Sequence, residues 1–488
     1  APMRIKHSSD RDRIAREFDD EEDEEVVVVE RRRPRFVRKL LLFIVFLAVI
    51  VALLPTIVAK TPLRNVLISS AVPGDAVRVS VADASLGGLS APALSGIDVR
   101  DTGGQPVVAV ESIRLSRTPL ELAANPHDLG EIEIVRPTVY LAVRPDGTNL
   151  EDVVAAIAKT QAAGKPGGTS KTSSAPIAFA VRVTEGTILA QDMATGRRWR
   201  IHAFNAQFSM DAAGRIGQLA VSGQMDDGMN SAAGAIPPGR FALNLSTAAD
   251  GRQQLEWKAE TLTLAAAEPW LRRFASGTEL GGTLSGQGTA AWSIAPPGNP
   301  QFPAVRFPLT LDTSGSLWID NLDAVAPALA GDRIRLARVE MPWKITAQPD
   351  RLVIEELDVR SDVGRIAARG TIDPAALGAS GDALAAVFDA VGRNSVQFRG
   401  ELDLAPLAAM LPHLLRIRED TKITAGTLEI AARNQPVDDG QAITGAVRTM
   451  NLAATSAGRP LKWDAPVSVT FEVRRQNDAV RVESLVCE

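Results

Sequence analysis

The stretch VEMPWKITAQPDR, Val339 to Arg351, decides the fold. Val339, Met341, Trp343 and Ile345 alternate with Glu340, Pro342, Lys344 and Thr346. A period of two places the first set on one face of a β-strand and the second set on the other. The run then breaks at Gln348-Pro349-Asp350, where proline presets φ and aspartate bonds nearby backbone, so a turn follows. A one-faced strand with a tight turn after it is the unit of an antiparallel meander.

The unit recurs along the chain. Val77/Val79/Val81, Val139/Leu141/Val143, Ile177/Phe179/Val181/Val183, Phe204/Ala206/Phe208/Met210 and Phe241/Leu243/Leu245 alternate in the same way, as do Leu428/Ile430/Ala432 and Val467/Val469/Phe471/Val473. Turn-forming clusters separate them: PDGTN from Pro145, DAAGR from Asp211 and AADGR from Ala248. Helical patterns are short: Asn149 to Gly164, Ala265 to Ala275, Pro374 to Arg393 and Ala405 to Arg416. They do not recur between every pair of strands, which argues against a parallel α/β sheet. GKPGGTSKTSSAP, Gly164 to Pro176, has the composition of a flexible linker. It divides a module at 60–163 from a longer region at 177–488.

That longer region contains a repeat. LTLAAAEPWLRRFASGTELGGTLSGQGTAAW (Leu262 to Trp292) and LDLAPLAAMLPHLLRIREDTKITAGTLEIAAR (Leu402 to Arg433) share one plan, about 140 residues apart. Each runs from a strand through an Ala-rich helix with an internal proline and a polar gap to a strand led by Gly-Thr-Leu. Repeated units that cannot bury their own apolar faces stack along an axis. The expected body is elongated, with some 25 strands at about 4.8 Å spacing giving a length on the order of 120 Å. VESLVCE at the end still reads as strand, so the pattern is expected to continue beyond Glu488.

The first 60 residues follow different rules. Residues 1–39 hold 11 acidic and 11 basic side chains, partly segregated into EFDDEEDEE (Glu17 to Glu25) and a cationic cluster from Arg31 to Lys39. Such blocks have too little apolar surface to offset ordering entropy, so a disordered charged tail is expected. Leu40 to Ala59 carries no charge over 20 residues, and a helix of that length matches the hydrocarbon core of a bilayer. Leu40, Phe43, Phe46, Ile50 and Leu54 are its anchor residues. The apolar run is long for a cleaved signal, and Ile57 before Ala59 makes a poor small-x-small site, so retention is expected. The cations before it place the N-terminus in the cytoplasm and everything after Lys60 outside.

Composition narrows the function. The chain is 45% hydrophobic and 23% charged with a net charge of −5, which is globular overall. One cysteine, Cys487, excludes an internal disulfide. His7, His127, His202 and His413 are scattered without metal-ligand spacing, and read as surface or turn residues. Glu131/Glu133 and Glu355/Glu356 read as solvated strand positions rather than a general acid and base. Asp146-Gly147 followed by Asn149, Glu151 and Asp152 reads as a turn and a helix N-terminus rather than a calcium loop. GGTLSGQG belongs to turns or bends within the repeat. The tryptophans lie on different strands without a basic stripe, which argues against nucleic acid. No enzyme, cofactor or metal site is expected.

GDAVRVSVADASLGGLSAPALSGIDVRDTGGQPVVAVESIRLS (Gly74 to Ser116), followed by GEIEIVRPTVYLAVRPDGTNLEDVV (Gly130 to Val154), resembles the N-terminal module of the AsmA-like superfamily of TamB/AsmA-type proteins. The membrane helix and the later helix-then-GTL repeats extend the likeness. The resemblance implies a long sheet curled into a groove, anchored in the inner membrane with its body in the periplasm. It also implies phospholipid as ligand, an outer-membrane protein as partner, and movement of lipid between the membranes. The expected fold is therefore mostly β: an elongated antiparallel sheet curled into a groove, with short helices and one preceding transmembrane helix. Val77, Val79, Val81, Val139, Leu141, Val143, Phe204, Phe208, Leu428 and Ile430 are the candidate lipid-facing residues. Alternation alone leaves two outcomes open, a sandwich that closes this face against a second sheet and a trough that leaves it open to acyl chains. A scaffold that assists outer-membrane protein assembly without carrying lipid is the alternative function.

Overall fold

The computed structural model describes residues 77–85, 90–163, 177–226, 238–248, 250–293, 310–372, 395–437, 440–476 and 479–488. The charged tail 1–39, the apolar segment 40–59 with its anchor residues, the linker 164–176 and the helical pattern from Pro374 to Arg393 lie outside the described residues. Among the described residues no helix is long and apolar enough to cross a membrane. Strands make up 70% of them and form one large sheet that is curled and not closed.

The chain opens with β1 (Arg78–Ser85), β2 (Ala93–Arg100), β3 (Pro106–Leu115), β4 (Asp128–Arg144) and the two-residue β5 (Gly147–Thr148). After a crossover come β6 (Ala178–Asp192), β7 (Arg198–Met210), β8 (Ile216–Asp226), β9 (Gly239–Thr247) and β10 (Gln253–Thr263). Then follow β11 (Glu279–Ser293), β12 (Thr310–Val325), β13 (Arg333–Gln348), β14 (Arg351–Ser361), β15 (Gly364–Ile372) and β16 (Ser395–Asp403). The last are β17 (Thr421–Val437), β18 (Gly440–Ser456), β19 (Arg459–Lys462), β20 (Val467–Gln476) and β21 (Ala479–Cys487). Strand pairing follows chain order from β1 to β21, with β5 folded back on the end of β4 and β19 sharing an edge of β18 with β20. The turns expected at Asp211, Ala248 and Pro349 join β7 to β8, β9 to β10 and β13 to β14. At the first, the Asp211 carboxylate accepts the amides of Ala213 and Arg215 at 2.8 and 2.9 Å.

The expectation of an antiparallel sheet needs one correction. β4 and β6 are parallel, in register from Asp128↔Ala178 to Val143↔Asp192. Parallel neighbours need a long crossover, commonly helical, to return the chain to the same end. Residues 145–177 make it, and they include α2 (Asn149–Ala163), numbered after the short α1 (Pro119–Ala124). The sheet thus runs continuously from β4 to β6. α1 was missed in the sequence although its signal was there: Thr118 and Glu121 form a capping box around Pro119. The other helices are α3 (Glu268–Leu271), preceded by a 3₁₀ turn at Leu264–Ala266, and α4 (Leu404–Met410), capped by Asp403.

Long strands keep one apolar face only by changing phase. In β4 the apolar positions Ile132 and Ile134 are even and Val139, Leu141 and Val143 are odd, with Arg136 between them at φ 47°. β10 changes from Leu255, Trp257 and Ala259 to Leu262 across Thr261 at φ 49°, and β12 from Leu317 and Ile319 to Leu322 across Asn321 at φ 54°. Gly96 in β2, Ala203 in β7 and Asn451 in β18 hold the same position at φ 60°, 48° and 52°. Register shifts accompany several of them, including Ala259/Leu262 and His202/Asn205. A left-handed residue takes one position out of the alternation, so the apolar set returns to its original face. Packing confirms this: Leu94, Ile113 and Ile134 on one side of the slip and Val79, Val99 and Val108 on the other all pack on the cluster Val81, Ile97 and Val110. Each non-glycine residue held there costs on the order of 1–2 kcal/mol, and bulges of this kind bend the strand and increase its twist. The line of slips is therefore a physical source of the curl.

Deleting Thr261 would restore simple alternation and turn Leu262 to the polar face. A loss of about 2–3 kcal/mol per re-exposed leucine is expected in chemical denaturation, whereas Thr261→Gly, which keeps the left-handed position, is expected to stay within about 1 kcal/mol of the parent.

Candidate functional site

The apolar face is continuous across the sheet. Val79, Val99, Val108, Val139 and Ile188 form one row through β1, β2, β3, β4 and β6. Near the other edge Gly400, Ile430, Val447 and Val469 form another through β16, β17, β18 and β20. The candidate residues fall into two groups. Val79, Val139, Leu141, Phe204, Phe208, Leu428 and Ile430 are half-buried, whereas Val77, Val81 and Val143 are 4%, 3% and 1% exposed. The second group therefore packs as core and offers no open surface. Had a second sheet covered this face, the first group would be buried too.

Aromatic rings form the floor of the face, and glycines make room for them. Phe204 stands in register with Gly186, Phe241 with Gly223, Trp257 with Gly288, Trp343 with Gly315 and Phe471 with Gly445. A Cβ on Gly315 would lie 2.5 Å from Trp343 Cζ2, and one on Gly288 would lie 2.8 Å from Trp257 Nε1. The two indoles lean toward each other over these glycines and stack, with centroids 6.1 Å apart and planes 6° apart. Trp343 Nε1 donates to Thr313 Oγ1 at 3.3 Å. Phe179 and Phe208 make a second, tilted pair at 5.7 Å. Rings lying flat over glycine cover exposed backbone with apolar surface and keep the floor low. The tryptophans were legible as groove or core residues; their glycine partners were not, because pairing them requires the register. Of GGTLSGQG, Gly282 occupies a left-handed bend at φ 106°, while Gly286 and Gly288 lie beneath Trp257.

The opposite face carries the charge. Glu131 pairs with Arg182 at 2.5 Å, Glu111 with Arg136 at 2.6 Å and Glu355 with Lys344 at 2.5 Å, all between neighbouring strands. Exposed pairs of this kind contribute about 0–1 kcal/mol each, so they orient strands more than they stabilise them. One pair is buried. Asp358, 2% exposed, accepts Arg365 through both oxygens at 2.8 Å and Arg360 at 2.6 and 2.8 Å. Burial raises the Asp358 pKa, but the bonds from Arg365 and Arg360 outweigh it and hold the carboxyl below its ordinary value.

The turn at Asp146-Gly147 is confirmed, with the helix cap one residue earlier than expected. Thr148 and Glu151 form the reciprocal pair, Thr148 N to Glu151 Oε2 at 2.8 Å and Glu151 N to Thr148 Oγ1 at 3.1 Å. Asn149 instead ties the helix start to β4, accepting the Ala142 amide at 2.9 Å and donating to the Tyr140 carbonyl at 2.8 Å. His127 is exposed as expected, His202 is half-buried beside Asp226 at 3.3 Å, and His413 lies 2.6 Å from the buried Asp332. His7 lies outside the described residues. Among the described residues no three His, Cys, Asp or Glu side chains gather as metal ligands. No protein-family model matches the chain, and neither does any curated protein.

Two measurements check this face and its reverse. Gly315→Ala is expected to push Trp343 off the floor, shifting tryptophan fluorescence and costing about 1–3 kcal/mol in thermal denaturation. The ionised Asp358 stabilises the fold above the unfolded carboxylate range, and this contribution fades as pH falls through its lowered native pKa. Asp358→Asn should therefore lower the melting temperature at neutral pH and flatten its decline below about pH 4.

Proposed function

We propose that this protein is an AsmA-like groove protein, held in the inner membrane by residues 40–59, that carries phospholipids through the periplasm between the inner and outer membranes. The observation that carries the reading is a continuous apolar face, half-exposed at Val139, Leu141, Phe204, Phe208, Leu428 and Ile430, on a curled sheet that is not closed. Exposed apolar patches beyond a few hundred Å² are uncommon on proteins that bind nothing there. An acyl chain suits such a face because it needs no directional partner, and each methylene it buries contributes about 0.8 kcal/mol. The flat rings of Trp257, Trp343 and Phe471 favour a flexible chain sliding along the floor over a rigid ligand in a socket. The headgroup would stay in water at the lips of the groove. In this reading the face stores no substrate in a fixed pose, and the work is that of a continuous apolar path.

Photo-crosslinking residues at Leu141, Phe208 and Ile430 in the full-length membrane-bound chain are expected to capture phospholipid, while Thr138, Gln207 and Glu429 on the other face should not. Equal labelling of both faces overturns the reading. Adducts formed solely with an outer-membrane protein would replace it with the scaffold role.

A further inference from the structure

The 140-residue repeat contains more than strand and helix. Asp192 and Asp332 are also 140 residues apart, at the ends of LAQD (Leu189 to Asp192) and LAGD (Leu329 to Asp332). Both carboxylates are buried, at 2% and 3% exposure. Each receives the helical segment of its own repeat. Asp192 accepts Arg272 Nη2, with Thr195 Oγ1 at 2.6 Å and the Ala194 amide at 2.9 Å completing its shell. Asp332 accepts the amides of His413 at 3.2 Å and Leu414 at 2.8 Å, and its Oδ1 lies 2.6 Å from His413 Nδ1. Side contacts reinforce both. Arg273 donates to Glu151 at 3.1 and 3.2 Å and lies 4.8 Å over the Trp270 ring; the Arg335 amide points at Met410 Sδ at 3.2 Å.

The placement in the sheet is the same in both cases. The first segment leaves the end of β10 and reaches the end of β6, and the second leaves the end of β16 and reaches the turn between β12 and β13. Each spans four strand spacings, on the order of 19 Å measured along the sheet. Both work at one rim, because β6, β10, β12 and β16 run in the same direction through the alternating pairings. Apolar burial holds the segments weakly: Trp270, Leu271 and Phe274 in the first and Leu414 and Leu415 in the second are exposed, Phe274 by 90%. Polar docking into a buried carboxylate is therefore what ties each segment back.

We infer that the repeat encodes a latch: a helical segment crosses the ends of three intervening strands and plugs into a buried aspartate four strands back. Two such latches fix the curl of the sheet along one rim, and with it the width of the apolar groove. Asp192 and Asp332 are the sockets; Arg272 and the His413–Leu414 amides are the plugs. The latch concerns curvature and stands whether or not the groove carries lipid.

Spin labels test it in the full chain carrying Cys487→Ser, which removes the single native cysteine. Labels at Ala328→Cys and Leu415→Cys report the second latch. The parent is expected to give one narrow distance distribution by double electron–electron resonance. Asp332→Ala and His413→Ala should each shift it to longer, broader distances, while Asp192→Ala should leave this pair unchanged and loosen a label at Phe274→Cys instead. The His413 ring is 71% exposed, so its variant keeps the test valid should Asp332→Ala fail to fold. A parent-like distribution in His413→Ala together with one in Asp332→Ala, or in His413→Ala alone when Asp332→Ala does not fold, overturns the inference.

Discussion

The structure depends on a steric constraint within single strands: a long β-strand can hold one apolar face over a bent path only if one residue leaves the alternation. Left-handed backbone at Arg136, Ala203, Thr261, Asn321 and Asn451 supplies that exit. L-residues disfavour the conformation by on the order of 1–2 kcal/mol each. What offsets the cost is the set of side chains beyond the slip, which would otherwise point into water; one leucine returned to the apolar face is worth about 1.5–3 kcal/mol. The curl, the continuity of the face and the packing of Ile113 and Ile134 on the Val81–Ile97–Val110 cluster all follow from this exchange.

Much of the fold could be read from the sequence because its governing signals are local. Alternation at Val339 to Ile345 specifies a strand whatever its neighbours do, and Asp211, Asp250 and Pro349 mark turns through their own side chains. The phase slips were also present, as a change from odd to even apolar positions around Thr261 and Asn321, but short runs read separately conceal them. The parallel junction of β4 and β6 had no local signal, since it depends on where the chain re-enters the sheet after residue 176. α1 lost out as a six-residue element with no buried side chain of its own, although its capping box was explicit.

For the candidate site the balance differs. Phe204, Phe208, Leu428 and Ile430 were identifiable as members of an apolar face. That Val77, Val81 and Val143 are core instead depends on what lies above them, which strand patterning does not encode. Gly315 beneath Trp343 and Gly445 beneath Phe471 show the limit most clearly. Each glycine is ordinary in its own strand and acquires its role only from a ring on the next one. Asp192 and Asp332 are an intermediate case: the shared LA-x-D and the common spacing were visible, but their burial was needed to give the spacing a meaning.

Strand pairing that follows chain order has a consequence for how such a protein can change length. From β6 to β21 each strand's register is set by the strand before it, so the sheet behaves as a ruler to which hairpins can be added or removed in pairs without rewiring the rest. Where a helical segment must reach a socket four strands back, that freedom ends. The stretches from β6 to β10 and from β12 to β16 are then fixed lengths, and variation in reach belongs to the strands between and beyond them.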